Sequence, residues 1–178
     1  MNIRELWRSF HGEQVPIAYV LRRQIPELWF RIYSLPDSKR YAEDESETHP
    51  MLRRYNMVAA EVFGEKERCL LFFPDYALRK SPSVFEAFGG ELFCHFEDED
   101  ASITLFAAHT DWQSQKFDGI VRLVAEDEIR YFSLMNAGSG EILAPYDGGA
   151  DLFLSSTGRR DALRAQFKDW LSRHPEGV

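Results

Sequence analysis

The chain has 178 residues, 44% of them hydrophobic, 14% aromatic and 28% charged, a balance that excludes a disordered or fibrous polypeptide. That length fits one globular domain spanning 1–178, in which roughly 70% of the unfolded surface is removed from water, so no disulfide or metal is needed to hold it together. The formal charge of -8 and the pI near 5.2 repel a phosphate backbone, which argues against nucleic acid as a partner and in favour of a basic protein.

Ile3, Leu6, Trp7 and Phe10 recur at helical spacing, and Gly12 is placed to stop that helix; a second short helix follows around residues 16–23. In ELWFRIYSLP, Leu28, Phe30 and Ile32 alternate with Trp29, Arg31 and Tyr33, which predicts a strand covered on both faces. A polar loop over 37–50 leads to a helix from Met51 to Phe63, with Thr48 and Pro50 at its start and Gly64 at its end. RCLLFF predicts a central strand, and residues 81–88 a short helix closed by Gly89 and Gly90.

ELFCHF and SITLFAA read as strands joined by the acidic turn FEDEDA, and Phe117, Ile120, Val121 and Val124 as a helical face. IRYFSLM and EILAPY flank the turn AGSG as a hairpin. A last helix over 161–173 presents Leu163, Phe167, Trp170 and Leu171. This order of elements predicts an α+β domain, with a mixed, mainly antiparallel sheet of about five to seven strands and helices packed on it.

Two segments carry candidate chemistry. In EILAPYDGGADLFL, Asp147 and Asp151 bracket two glycines; the spacing could bring both carboxylates toward one cation, but it lacks the alternating ligands of a calcium loop. The other reading is a turn or bulge between strands, with Gly148 and Gly149 supplying backbone freedom. In LPDSKRY, Ser38, Lys39, Arg40 and Tyr41 form a set of donors suited to a carboxylate or phosphate, or else a loop fixed by pairing with the acidic run 43–47 or with the hairpin aspartates. Arg53 and Arg54, in the next helix, stand ready to join either arrangement.

Phosphate-loop and dinucleotide motifs are absent, and His11, His49, His95, His109 and His174 lack metal-ligand spacing, so neither a cofactor nor a metal is expected. Cys69 and Cys94 lie in apolar runs without CxxC spacing and read as buried reduced thiols; Cys94 and His95, adjacent on a strand, point to opposite faces and form no dyad. The N-terminus lacks a signal-peptide pattern and no apolar run is long enough to span a bilayer, so a cytoplasmic location without membrane association is expected.

RIYSLPDSKRY, LRRYN at 52–56, APYDGGADLFL and WLSRHPEG resemble a family of uncharacterised bacterial proteins, a domain of unknown function, that share an LPxSKRY loop, an RxN helix and a C-terminal PYDGGAD segment. The resemblance adds Arg54 and Asn56 to the candidate binding residues Ser38, Lys39, Arg40, Tyr41, Tyr146, Asp147 and Asp151, and implies no cofactor.

Three functions remain open. The first is a non-enzymatic protein of immunity type that engages a basic protein, attracted by the acidic segments 43–47 and 97–100 and anchored by Tyr146 or Trp112. The second is a hydrolase or transferase for a small anionic substrate, with Lys39 and Arg40 as an anion clamp and Asp147 or Asp151 as general base; it requires the two loops to converge. The third is a small-ligand sensor that uses the same pocket.

Overall fold

A computed structural model describes residues 1–64, 66–99 and 101–171. Seven strands form one open sheet: β1 (Trp29–Tyr33), β2 (Arg68–Pro74), β3 (Glu91–Glu97), β4 (Ser102–Asp111), β5 (Ser133–Asn136), β6 (Ile142–Tyr146) and β7 (Gly149–Phe153). Their spatial order is β1-β7-β6-β5-β2-β4-β3, and every pairing is antiparallel. The fold is therefore α+β, with a wholly rather than mainly antiparallel sheet.

Helices cover both faces of the sheet. Alternation along β2 divides the core: Cys69, Leu71 and Phe73 join one cluster, Leu70 and Phe72 the other. The first cluster packs under α3 (Glu45–Phe63), α4 (Asp75–Lys80), α5 (Pro82–Phe85), α6 (Asp118–Ala125) and α7 (Thr157–Gln166). The second packs under α1 (Ile3–His11) and α2 (Ala18–Gln24), through Ile3, Trp7 and Leu21. A strand between two helical layers needs an unbroken apolar run, which is why RCLLFF carries no alternation.

Local signals account for most boundaries. Asn2 and Glu5 close a capping box on α1, and Gly12 ends it at φ 59°. Phe10, however, does not join the core face; it is exposed and lies against Gly140, where an added Cβ would come within 2.5 Å of its ring. Helix α3 starts earlier than Thr48 and Pro50 suggest. Asp44 accepts hydrogen bonds from the amides of Ser46 and Glu47 at 2.8 and 3.2 Å, so the cap forms there and Pro50 sits inside the helix. Helix α4 has no counterpart in the sequence reading, and β4 extends to Asp111. Helix α7 begins at Thr157, capped by Ser156, and gives way to a 3-10 turn at Lys168–Trp170. Arg173 and the HPEG segment lie outside the described residues, as does His174.

The strand β1 is not covered alike on both sides. Phe30 and Ile32 are buried in the first cluster, whereas Trp29, Arg31 and Tyr33 are half-buried on the opposite face. The helices α1 and α2 leave this end of the sheet partly open, and a cavity results. Trp112 is also misjudged by its sequence context. It is only 4% exposed, stacked on Phe63 at 6.2 Å, and offers no anchor to a partner.

Cys69 is fully buried and Cys94 half-buried, and both are free thiols. Burial pushes the Cys69 thiol up to about 12. In a native-state thiol titration at pH 8, Cys69 should therefore stay unmodified while Cys94 reacts slowly, and both should react at once in denaturant.

The two glycines of PYDGGAD serve space rather than positive φ. Tyr146 pairs with Gly149, so Asp147 and Gly148 form a two-residue turn between β6 and β7, and neither has positive φ. A Cβ on Gly149 would stand 1.9 Å from the Ile32 carbonyl oxygen, and one on Gly148 would stand 3.0 Å from the Tyr146 ring. Gly149→Ala should therefore push β1 off β7 and destabilise the protein by more than about 3 kcal/mol in urea unfolding. Gly119→Ala, in α6 with nothing within 4 Å of the new Cβ, should stabilise it by up to about 1 kcal/mol.

Candidate functional site

The open end of the sheet can be read as three cross-strand rows, because directly paired residues of antiparallel strands share a face. Trp29, Phe153 and Ile142 form the first row, Arg31, Asp151 and Ala144 the second, and Tyr33, Gly149 and Tyr146 the third. Ala144 and Gly149 carry little or no side chain, so the middle of this patch is hollow. The resulting cavity, about 700 Å³, is floored by β1, β7 and β6. Its walls come from α2, the 34–41 loop, the β6–β7 turn and the 126–132 loop between α6 and β5.

Charge is concentrated here. The described lining residues include Arg22, Arg31, Arg40 and Arg130, set against Asp127, Asp147 and Asp151. In a chain of net charge -8, this patch has one more arginine than aspartate. At the floor, Asp151 is 4% exposed and accepts from Arg31 through both oxygens, at 2.8 and 2.9 Å, and from the Trp29 indole N–H at 2.8 Å. Burial alone would lower the Arg31 pKa; the hydrogen bonds and charge of Asp151 outweigh it and raise the pKa.

Aromatic faces frame Arg31 on the floor and Arg22 on the wall. The Arg31 guanidinium lies 4.2 Å from the Tyr146 ring centroid and 5.8 Å from that of Trp29. Arg22, half-buried on α2, lies 5.4 Å from the same indole. Asp151 neutralises Arg31. Arg22 has no carboxylate partner among the described residues.

The rim holds a second set of charges. Arg40 reaches Asp147 at 2.7 Å, and the Tyr41 hydroxyl donates to the same carboxylate at 3.0 Å. Across the opening, Arg130 holds Asp127 through two bonds of 2.6 Å. The charges of Arg40 and Asp127 also act on one another, so the rim alternates in sign from Asp147 to Arg130. Behind the turn, the Tyr55 hydroxyl of α3 sits 2.6 Å from the Gly149 carbonyl and 2.9 Å from that of Tyr146, clipping the turn to the helix.

Backbone strain gathers at the same place. Ser38, Asp127 and Tyr131 line the cavity, and Asp37 precedes Ser38; all four have φ between 55° and 61° without being glycine. Among the other described non-glycine residues, only Lys66 and Gln115 have positive φ, at 59° and 69°. Such conformations cost on the order of 1–3 kcal/mol each and tend to collect at sites of function.

The sequence candidates divide accordingly. The LPDSKRY and PYDGGAD loops do converge: Ser38, Arg40, Tyr146, Asp147 and Asp151 line the cavity, and Tyr41 reaches it through Asp147. Lys39 turns away and pairs with Glu43 at 3.2 Å and Glu47 at 2.6 Å. Arg54 donates to the Tyr33 carbonyl at 3.1 Å and stacks over Trp170 at 5.0 Å. Asn56 bonds Asp118 and accepts from the Gln115 amide, on the far side of the sheet. Neither lines the cavity.

Sequence reasoning missed Arg22, Arg31, Arg130 and Asp127. Arg31 did give a signal, a lone charge in an otherwise apolar strand and two residues from Trp29, where a partner had to exist in the fold. Among the described residues, no group of three or more His, Cys, Asp or Glu is placed to hold a metal ion, and no helix is long and apolar enough to cross a membrane.

A family model described as domain of unknown function DUF3885 matches residues 17–175, and the chain belongs to that family. No curated protein and no solved structure matches it. The matched span begins just before α2, and every wall of the cavity falls within it apart from Pro16.

Replacing Asp151 by Asn would leave the Arg31 guanidinium beside a neutral amide at a nearly closed site. The loss should be about 3–5 kcal/mol of stability, read by chemical denaturation, as is usual when one partner of a buried pair is removed. Lys39→Gln, which breaks exposed pairs only, should cost less than about 1 kcal/mol.

Proposed function

We propose that this protein binds a small organic anion, a carboxylate or phosphate, in the cavity at the end of the sheet. One observation supports the reading above the others: two guanidiniums, Arg22 and Arg31, approach the same indole, and the carboxylate bonded there, Asp151, is taken up by Arg31 and leaves Arg22 without one. Both guanidiniums line the cavity, and an anion bound in it would accept charge-assisted hydrogen bonds from them and supply the carboxylate or phosphate charge that Arg22 lacks. The rotatable torsions of Arg31 are already restrained by Asp151 and Tyr146, so little side-chain entropy would be lost on binding.

Catalysis finds less support. Both oxygens of Asp151 are engaged with Arg31 and Trp29, and Oδ2 of Asp147 with Arg40 and Tyr41, so each carboxylate holds an arginine in place. A basic protein partner rests on long-range charge alone. Lys39 and Arg122 already pair with Glu47 and Glu45 in the acidic run, and Trp112 is buried.

Thermal unfolding in the presence of phosphate, sulfate and succinate tests the reading. The protein should gain stability with anion concentration, by about 2.7 kcal/mol at a hundred times the dissociation constant. Arg22→Gln should weaken anion binding and shrink that gain, while changing the unliganded melting temperature little, because the side chain has no ion pair to lose and only a contact with the indole. A melting temperature indifferent to all these anions, at constant ionic strength, would sink the proposal.

A further inference from the structure

The cavity is larger and differently lined than an oxyanion alone would require. Pockets of about 300–1,000 Å³ with aromatic walls and a few convergent polar groups suit whole organic ligands, and 700 Å³ falls inside that range. Between the charged floor and the charged rim the walls are ring-bearing or apolar, including Tyr33, Tyr131, Phe132 and Pro145. Tyr33 stands out among them. It is half-buried on the cavity face of β1, and its cross-strand neighbour is Gly149, which has no side chain to cover it. Among the described residues its hydroxyl has no hydrogen-bond partner and its ring has no aromatic partner. Tyr146, by contrast, has a face occupied by Arg31 at 4.2 Å.

The rim adds a second constraint. Arg40 with Asp147, and Arg130 with Asp127, present donors and acceptors in equal charge, so this end of the cavity suits a neutral group that both gives and takes hydrogen bonds. A ligand with a second full charge would have to break one of these pairs.

We infer that the ligand is a planar ring carrying one oxyanionic group: the anion lies on Arg22 and Arg31, the ring stacks on Tyr33, and neutral polar substituents of the ring meet the Arg40–Asp147 and Arg130–Asp127 pairs. Nucleoside monophosphates and hydroxylated aryl carboxylates both have this chemistry. The inference rests on the anion reading above and adds to it the ring and the Tyr33 platform.

Calorimetric titration separates the parts. Adenosine and uridine monophosphates are compared with ribose 5-phosphate and inorganic phosphate, and 4-hydroxybenzoate is compared with acetate. At least one ring-bearing anion should bind ten times more tightly than its ringless counterpart, and which of the two sets does so identifies the source. Tyr33→Leu should erase that tenfold preference while leaving the ringless anions unaffected; Tyr33→Phe should keep it. Arg22→Gln should weaken ring-bearing and ringless anions alike. Equal affinity for ring-bearing and ringless anions overturns the ring and leaves the anion site standing. Preference that survives Tyr33→Leu in a variant with native melting behaviour overturns the platform. Absence of binding by every anion overturns both this inference and the reading it rests on.

Discussion

Arg31 and Asp151 face each other on adjacent strands at the edge of the sheet, and much of the surrounding architecture follows from the need to keep that pair satisfied. A carboxylate so nearly closed to water is tolerated only when its lone pairs are used, and Arg31 and Trp29 use them. Those bonds fix the register of β1 on β7: a slip of one residue would turn Arg31 into the apolar layer under α3 and α7, where Phe30 and Ile32 now sit. Gly149 lets the Ile32 carbonyl approach, and the Tyr146 ring comes within 4.2 Å of the guanidinium. The pair therefore acts as a registration device as much as a contributor of stability.

A consequence of placing an ion pair there is that the second core cannot extend to the sheet's end. Helix α1 packs Trp7 against Phe72 and Phe93, well away from β1, and α2 meets β1 where Arg22 lies over the Trp29 indole. Where a helix would normally seal the sheet with Leu or Phe, arginine, tyrosine and small residues remain. The hollow is thus a product of sequence choices at a few positions on β1, β6 and β7, and its walls are loops whose backbone holds four strained non-glycine residues.

Most of the strands and helices were legible because their periodicities are strong and their turns are marked by glycine or by acidic runs. The cases that escaped have local causes. Asp44 outcompetes Thr48 as the cap because its carboxylate reaches two amides, and the proline that suggested a helix start is absorbed inside the helix instead. Trp112 follows a strand end in a polar context, yet it stacks on Phe63 from α3, a contact that no window of sequence reveals. For the site, the two loops are recognisable as unusual runs of donors and carboxylates, and they meet through Arg40 and Asp147, the convergence that the hydrolase reading requires. Arg31 left only the trace of a lone charge in an apolar strand and Arg22 left none, because each gains its meaning from a neighbour on a different element; Arg130 and Asp127 are local partners, but their place at the cavity depends on strands distant in sequence.

The position of β1 in the sheet also governs when the cavity comes into being. Trp29 pairs with Phe153 and Tyr33 with Gly149, so the strand that carries Arg31 and Tyr33 waits for a partner made more than a hundred residues later. Pairings of such sequence separation carry a large loop-closure entropy and form late, after the β3–β4 and β6–β7 hairpins can assemble from nearby segments. During that interval the N-terminal strand has no place in the sheet, and Arg31 is solvated rather than clasped. The cavity thus marks completion of the fold: a ligand held there would bind only chains in which β1 has docked, and would slow the undocking of that strand before any other part of the sheet.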